Sequence, residues 1–339
     1  MRAVVLVGGF GTRLRPLTLT APKQMLPVAG LPMIERVLAH LAMHGIDDVV
    51  LSLGYKPDAF TGAYPDDRCA GVHLSYAVDP EPLDTAGAVG FAARRAGIDE
   101  RFLVVNGDVL TDLDLHALVA FHDGHGAEGT IALTQVEDPS HFGVVPTDDA
   151  GRVLAFVEKP PRHEAPTDLI NAGFYVLEPQ VLDRIPEHGP VNIERETFPA
   201  MVADGSLYAR ADGAYWIDVG TPERYLQASL DLLDGVRAEP LDPALLLPEG
   251  LLIDATATVE RSVLGRGCRV MAGARVVDSV LHGGVTVGER ASVRRSILGP
   301  ASVIGDDASL DELTVLGDGI HVDAGAVLCG ALVPDTDSP

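Results

Sequence analysis

Cysteine, lysine and aromatic residues are all scarce in this 339-residue chain, and each shortage excludes something. Cys69, Cys268 and Cys329 are odd in number and far apart. Neither a disulfide framework nor a regularly spaced zinc cluster is available to them, and reduced thiols in a cytosol are the simplest expectation. No apolar run approaches the ~20 residues that cross a bilayer. The run at 3–7 is also too short for the core of a secretory signal, so a cytoplasmic chain without membrane contact is expected. Aromatics make up 5% of the residues while glycine reaches 36, which points to small-residue packing and tight turns. Positive charge is short as well. The formal net charge of -24 argues against a nucleic-acid partner, because a phosphate backbone needs a basic face. Lysine occurs three times, at Lys23, Lys56 and Lys159, against twenty-two arginines. In a chain that nearly always uses arginine, a lysine marks a place suited to a compact point charge. Lys56 is read as chance; the other two fall inside motifs.

What is present divides the chain in two. Up to about residue 230, short apolar runs (3–7, 49–53, 74–78, 102–105) alternate with amphipathic segments. Helical spacing is clear at 32–44, with Pro32 near the start and Gly45 beyond the end. A second helix is expected at 85–96, with Asp84 as its N-cap and Gly97 after it. Strand–helix alternation predicts an α/β domain, a Rossmann-like mixed and mostly parallel sheet that binds ligands where its strands end.

After Glu239-Pro240 the pattern changes. From Ile253 to Leu328 an aliphatic residue recurs every five or six positions, fourteen times without a break, and one wall repeats as Ser262-Val-Leu-Gly, Ser279-Val-Leu-His, Ser296-Ile-Leu-Gly and Thr314-Val-Leu-Gly. That period does not fit a helix of 3.6 residues per turn. It fits a triangular β-solenoid with coils of 17 or 18 residues, each flat side giving one aliphatic side chain to the interior. Ala274, Ala291 and Ala326 suit its corners. The expected division is therefore a catalytic domain at 1–238, a linker at 239–250, a left-handed parallel β-helix of hexapeptide type at 251–333 and a tail at 334–339. A solenoid this short often serves as an oligomerisation surface, so a homo-oligomer is expected.

Chemistry concentrates in the first part. Gly8-Gly9-Phe10-Gly11-Thr12-Arg13-Leu14-Arg15-Pro16-Leu17-Thr18 follows the first strand directly. Glycines there let backbone N–H groups approach phosphates, and an arginine can bridge polyphosphate oxygens. The string is neither a Walker loop nor the dinucleotide fingerprint, since no Gly-Lys-Ser/Thr follows and Arg13-Leu14 stand where a third glycine would open a helix. Ten residues on comes Pro22-Lys23-Gln24-Met25-Leu26-Pro27, a lysine bracketed by prolines.

The combined string resembles the sugar-1-phosphate nucleotidyltransferases (sugar-nucleotide pyrophosphorylases). Phe102-Leu-Val-Val-Asn-Gly-Asp108, Phe142-Gly-Val-Val, Phe156-Val-Glu-Lys159-Pro160, Asn171-Ala-Gly-Phe-Tyr and Tyr215-Trp-Ile-Asp218-Val-Gly-Thr-Pro match that family's motifs in order. The Glu194-Arg-Glu-Thr-Phe198-Pro string and the solenoid look most like its mannose-1-phosphate guanylyltransferases. The resemblance implies that Lys23 meets the reacting phosphates, Arg13 grips the leaving pyrophosphate and Lys159 holds the sugar phosphate. It places Glu158, Asn171 and the Gly143 backbone against sugar hydroxyls. The nucleotide is expected along Leu6, Gly8, Gly9, Gly11, Thr12, Arg13, Lys23, Asp84, Thr85, Gly87, Asn106, Gly107 and Asp108. Asp108 and Asp218, each following an apolar run, are the carboxylates expected to hold one Mg²⁺. The catalytic set implied is Arg13, Lys23, Asp108, Lys159 and Asp218, acting on GTP and mannose-1-phosphate.

Some choices stay open at this level. Asp84 stands where most relatives carry glycine; it is read as a helix cap first and as an acceptor for guanine's N–H donors second. A thymidylyl- or uridylyltransferase, a heptose- or cyclitol-phosphate acceptor and a non-catalytic regulatory homologue are the alternatives. A solenoid acyltransferase would need a histidine, His282 or His321. His282 replaces the turn glycine of Gly265 and Gly299, which predicts a solvated corner.

Overall fold

The strand Arg2–Leu6 (β1) lies in the middle of a mixed sheet because its Ala3, Val4 and Val5 are wholly buried. The structure, a computed structural model, describes residues 1–237 and 248–334. Most of the expected linker at 239–250 and nearly all of the expected tail at 334–339 lie outside the described residues. β1 pairs in parallel with Asp48–Leu53 (β2), which pairs in parallel with Val72–Val78 (β3). On its other side β1 pairs in parallel with Phe102–Asn106 (β4), so that Leu6 stands opposite Asn106. Beyond β4 the sense changes. Gly129–Gln135 (β5) and β4 both run antiparallel to the long strand Leu169–Leu177 (β6), and Leu207–Ala211 (β7) runs parallel to β5.

The longer helices are Met33–Met43 (α1), Asp84–Arg95 (α2), Leu115–His125 (α3) and Pro222–Leu233 (α4). The first two fall within one residue of the expected bounds. Ala86, Val89, Ala92 and Ala93 of α2 are buried in the same apolar cluster as Val4, Val50, Ala77, Phe102 and Val104. Small residues on that face let the helix lie close on the sheet, as the composition suggested.

By contact density the chain forms two compact units. One comprises residues 1–8 and 37–216, the sheet with its helices. The other comprises residues 9–36 and the described residues from 217 onward. The glycine- and lysine-bearing loops at 9–36 thus share a unit with α4 and the solenoid.

The solenoid consists of three parallel five-stranded sheets, the arrangement of a left-handed parallel β-helix with five coils. Val270 pairs with Val287, Val276 with Val293 and Leu281 with Leu298, which stacks the repeated aliphatics directly. Each fully buried aliphatic contributes about 1.5–3 kcal/mol relative to exposure. Ile253 departs from the expected interior ladder: it is 46% exposed, since no described coil lies beneath the first one.

The recurring hydroxyl residue has its own physics. Ser279 and Ser296 are fully buried at successive corners, where each hydroxyl donates to the carbonyl two residues earlier, at 2.7 and 2.6 Å. Ser279 Oγ also accepts the backbone N–H of Ser296 in the next coil, at 3.2 Å. Buried donors and acceptors are thereby matched. The residue before each, Asp278 or Arg295, takes a positive φ to turn the corner.

Candidate active site

In the sheet unit, Leu6, Gly8, Asn106, Gly107 and Asp108 of the expected nucleotide residues lie at or just past the ends of β1 and β4. The Gly107 N–H donates to the Leu6 carbonyl at 3.0 Å, and a Cβ at Gly107 would stand 2.6 Å from Val7 and 2.9 Å from that carbonyl. Only glycine allows this approach. It sets the turn that carries Asp108 immediately beside the end of β1. Gly8 lies close to Gly54, since a Cβ on Gly8 would stand 3.3 Å from the Gly54 nitrogen and 3.7 Å from Asp79 Oδ2. Asp79 was not expected. It follows β3, receives a hydrogen bond from Ser52 at 3.4 Å, and burial pushes its carboxyl up to about 6.

Asp84 opens α2 with φ at 56°, a left-handed conformation that costs a non-glycine residue roughly 1–2 kcal/mol. Its carboxylate accepts from the Thr85 N–H at 2.7 Å and from Asn192 Nδ2 at 3.1 Å. Thr85 Oγ1 accepts from the Ile193 N–H, and the Ala86 and Gly87 N–H groups donate to the Val191 carbonyl. These partners tie the start of α2 to residues 191–193.

A second group in this unit assembles around β6. Gly143 and Glu158 face one another across a short antiparallel ladder. A Cβ at Gly143 would stand 2.5 Å from the Phe156 ring and 3.3 Å from Glu158 Oε2, so the backbone approaches that carboxylate closely. Lys159 Nζ pairs with Glu158 Oε1 at 2.7 Å, on a residue whose own φ is 47°. Strained backbone of this kind is concentrated at functional sites.

Glu158 Oε2 is buried and has no hydrogen-bond partner. Asn171 is buried and committed: its amide donates to the Tyr175 hydroxyl at 2.8 Å and to Glu194 at 3.0 Å, while its oxygen accepts from the Gly173 N–H. Glu194 therefore joins the group, with its carboxyl raised by burial first and by the neighbouring Glu158 second. Sequence reading quoted its motif but gave it no role.

In the solenoid-bearing unit, Gly11, Lys23 and Thr18 come together. A Cβ at Gly11 would meet the Lys23 stem at 3.1 Å and Thr18 at 3.0 Å, and Thr18 Oγ1 donates to the Gly11 carbonyl at 2.8 Å. Thr12 and Arg13 lie in the short 3-10 turn that follows. Arg13 and Asp218 both stand over Gly220. A Cβ there would come 2.7 Å from Arg13 Nη2 and 2.9 Å from Asp218 Oδ1, so glycine is what lets a guanidinium and a carboxylate share this place. Arg36 is wholly buried and donates to the carbonyls of Val28 and Ala29 at 2.9 and 3.0 Å, and burial lowers its pKa to about 10.

His282 corrects the sequence reading. It is 3% exposed rather than a solvated corner. Its Nε2 lies 2.8 Å from the Tyr225 hydroxyl, and burial lowers its pKa to about 4. Gly265 and Gly299 hold the same corner in the adjoining coils and leave it room. A buried neutral imidazole bonded to tyrosine gives no support to an acyltransferase.

Among the described residues, three groups able to ligate a metal gather at one place, His44, Asp114 and His116. There the Asp114 carboxylate already caps α3 through the Ala117 N–H at 3.0 Å, and His44 Nδ1 bonds the His40 carbonyl. No helix among the described residues is long and apolar enough to cross a membrane.

Comparison with known proteins extends these observations. The pattern of the nucleotidyl transferase family matches residues 2–235, and that of the GMPPB C-terminal domain matches 242–336. Mannose-1-phosphate guanylyltransferase of Mycobacterium tuberculosis is 44% identical over 81% of this chain and 77% of its own length. Mannose-1-phosphate guanylyltransferase 1 of Arabidopsis thaliana is 38% identical over 95% of this chain and 92% of its own. The crystal structure of HddC from Yersinia pseudotuberculosis complexed with GMP-PN covers 68% of this chain and 99% of its own, at 29% identity and a TM-score of 0.59.

Proposed function

Because the chain belongs to the nucleotidyl transferase family, we propose that it joins GMP from GTP to mannose-1-phosphate, giving GDP-mannose and pyrophosphate. The observation that carries this reading is likeness along both halves. The solenoid as well as the sheet is similar to relatives named for that reaction, one of them over 95% of the chain, and a structural relative was crystallised with GMP-PN.

The residues supply what the reaction needs. An oxygen of the sugar phosphate attacks the α-phosphorus; the new O–P bond forms as the bond to the β-phosphate oxygen breaks, and pyrophosphate departs. The nucleophile is already ionised near neutral pH, so no general base is required. Catalysis is then positioning and charge neutralisation. Arg13 binds the leaving pyrophosphate, Lys23 meets the reacting phosphates, and Lys159 holds the sugar phosphate. Glu158 and Glu194 accept from sugar hydroxyls, with Asn171 keeping Glu194 in place.

Asp108 and Asp218 are the residues that would hold Mg²⁺. Two hard carboxylate oxygens fit that ion, which takes its remaining ligands from water and phosphate. The missing Cβ of Gly220 keeps Asp218 Oδ1 and Arg13 Nη2 within one small space. When bound, the ion adds positive charge at the triphosphate.

A cytoplasmic location accords with three cysteines that form no disulfide among the described residues. The proposed homo-oligomer uses a second copy of the chain against the solenoid, where Val327 is 76% exposed; a concentration-independent monomer in light scattering would remove it. The function itself is tested with a matrix of GTP, ATP, UTP and dTTP against mannose-, glucose- and heptose-1-phosphates, scored by pyrophosphate release. GTP with mannose-1-phosphate should lead by at least tenfold in kcat/KM, about 1.4 kcal/mol of transition-state discrimination; another pair in the lead overturns the assignment.

A further inference from the structure

Three contacts join the solenoid and α4 to the loop at 9–36, all inside one compact unit. Thr20 Oγ1 donates to Asp318 Oδ2 at 2.7 Å. Pro16 lies against Gly317, where a Cβ would meet it at 3.3 Å. The third is a chain of two hydrogen bonds, one buried and one partly buried. The Tyr225 hydroxyl contacts both the Pro27 carbonyl and His282 Nε2. A carbonyl only accepts, so the single hydroxyl proton goes to Pro27. The tyrosine oxygen must then accept from His282, which fixes that imidazole as the Nε2–H tautomer. Its neutrality agrees with a pKa lowered by burial to about 4.

The position of this chain matters more than its strength. Pro27 closes the segment Pro22–Pro27, four residues after Lys23, and within it the Leu26 N–H donates to the Lys23 carbonyl at 3.1 Å. Tyr225 belongs to α4, whose first turn follows Asp218 and Gly220 and is capped by Thr221. One hydroxyl thus ties the segment bearing Lys23 to the helix that begins just past Asp218. The anchor on the far side is a histidine of the solenoid, at a corner where the adjoining coils carry Gly265 and Gly299. A corner built for packing alone would not need an imidazole. The bond between Tyr225 and His282 is buried and the one to Pro27 is partly buried, so losing the first leaves a polar group unsatisfied in the interior.

We propose that Tyr225 and His282 are positioning residues for nucleotidyl transfer: together they hold the Pro27 carbonyl, so that the solenoid sets where Lys23 meets the reacting phosphates. The proposal rests on the role given to Lys23 above. It assigns the solenoid a part in the chemistry of its own chain, separate from any part in assembly.

The test uses the full-length protein and four variants: Tyr225→Phe, His282→Leu, His282→Gln and Lys23→Met. Tyr225→Phe keeps the ring and deletes the hydroxyl. His282→Gln keeps an N–H donor of similar reach, and His282→Leu removes it. Pyrophosphate release gives kcat and KM, melting gives the folded fraction, and hydrogen–deuterium exchange reports on residues 22–28.

Tyr225→Phe and His282→Leu should lower kcat roughly ten- to a hundredfold, as displacements near 1 Å do, with KM for mannose-1-phosphate within twofold. Exchange at 22–28 should accelerate, and His282→Gln should recover most of kcat. A purely structural role would lower the melting temperature and leave kcat per folded molecule unchanged; that result overturns the proposal. If Lys23→Met is inactive while Tyr225→Phe and His282→Leu turn over at the wild-type rate, the brace fails and the Lys23 role stands. If Lys23→Met itself turns over normally, the Lys23 role fails and takes the proposal with it.

Discussion

Asn171 donates an amide hydrogen to the Glu194 carboxylate at 3.0 Å, twenty-three residues away in the chain. Burial and Glu158 already raise the Glu194 carboxyl, and this bond works against both. Asn171→Ala removes it, so Glu194 should take up a proton at higher pH and its orientation should relax. The expected outcome is a KM for mannose-1-phosphate raised roughly tenfold or more, in keeping with ~1.5–3 kcal/mol for a hydrogen bond to a charged group. The KM for GTP should stay near wild type, and the acidic limb of the pH–rate profile should move upward. Steady-state kinetics between pH 5 and 8 checks all three.

Gly220→Ala puts a methyl group 2.7 Å from Arg13 Nη2 and 2.9 Å from Asp218 Oδ1. Arg13 has a flexible stem and can swing aside, so the fold should survive with a melting temperature within a few degrees. Turnover should not. A loss in kcat of about a hundredfold is expected when a group stabilising transition-state charge is displaced. Wild-type kcat in this variant would separate Arg13 or Asp218 from the reaction.

Asp108→Asn and Asp218→Asn keep size and hydrogen-bonding capacity while removing one negative charge each. Each variant should retain its circular dichroism and melting curve but lose most turnover, and the Mg²⁺ concentration giving half-maximal rate should rise. Near-normal activity of either variant at limiting Mg²⁺ would end its assignment as a ligand.

Asp84 invites a pair of substitutions. Asp84→Gly loses the bonds to Thr85 and Asn192 but relieves a φ of 56°. The two effects are each about 1 kcal/mol and opposed, so stability should change little. Asp84→Ala loses the bonds and keeps the strain, and should melt several degrees lower. Neither should alter the preference for GTP over ATP. A switch in base preference would return Asp84 to the nucleotide.

Asp79 supplies a pH dependence. Burial raises its carboxyl from the ordinary range to about 6, so the folded protein binds this proton more tightly than the unfolded chain. The stability it contributes is full below pH ~4 and is lost as pH rises through about 6. Asp79→Asn is neutral throughout. Its melting temperature relative to wild type should therefore climb between pH 4 and 7 and level off above, by scanning fluorimetry. A difference that does not vary with pH would show that Asp79 titrates normally.

Periodic features were legible in the sequence. An aliphatic residue every sixth position has no helical explanation, so the solenoid was visible without any contact being known. The pair of loops around Arg13 and Lys23 was visible because two unusual strings stand ten residues apart. Features created by tertiary contact were not. Tyr225 reads as one more apolar residue of an amphipathic helix, and nothing near it in the chain points to Pro27, 198 residues away. His282 reads as an exposed corner because its neighbours in the repeat are glycines; what buries it lies outside the repeat. Arg36 sits within α1, yet its buried guanidinium answers to carbonyls seven and eight residues earlier. Local pattern reports the frame, and the polar groups that cross it depend on where distant segments meet.

One corner of the solenoid has slack built into it. Leu298 and Leu316 are eighteen residues apart yet still pair in register, as Val280 and Ile297 do at seventeen. The additional residue is taken up at Glu312 and Leu313, both with positive φ, before Thr314 resumes the pattern. The flat sides are rulers and the vertices are hinges of adjustable length. Insertions should therefore be tolerated singly at vertices, whereas one added residue on a flat side would throw every later coil out of step.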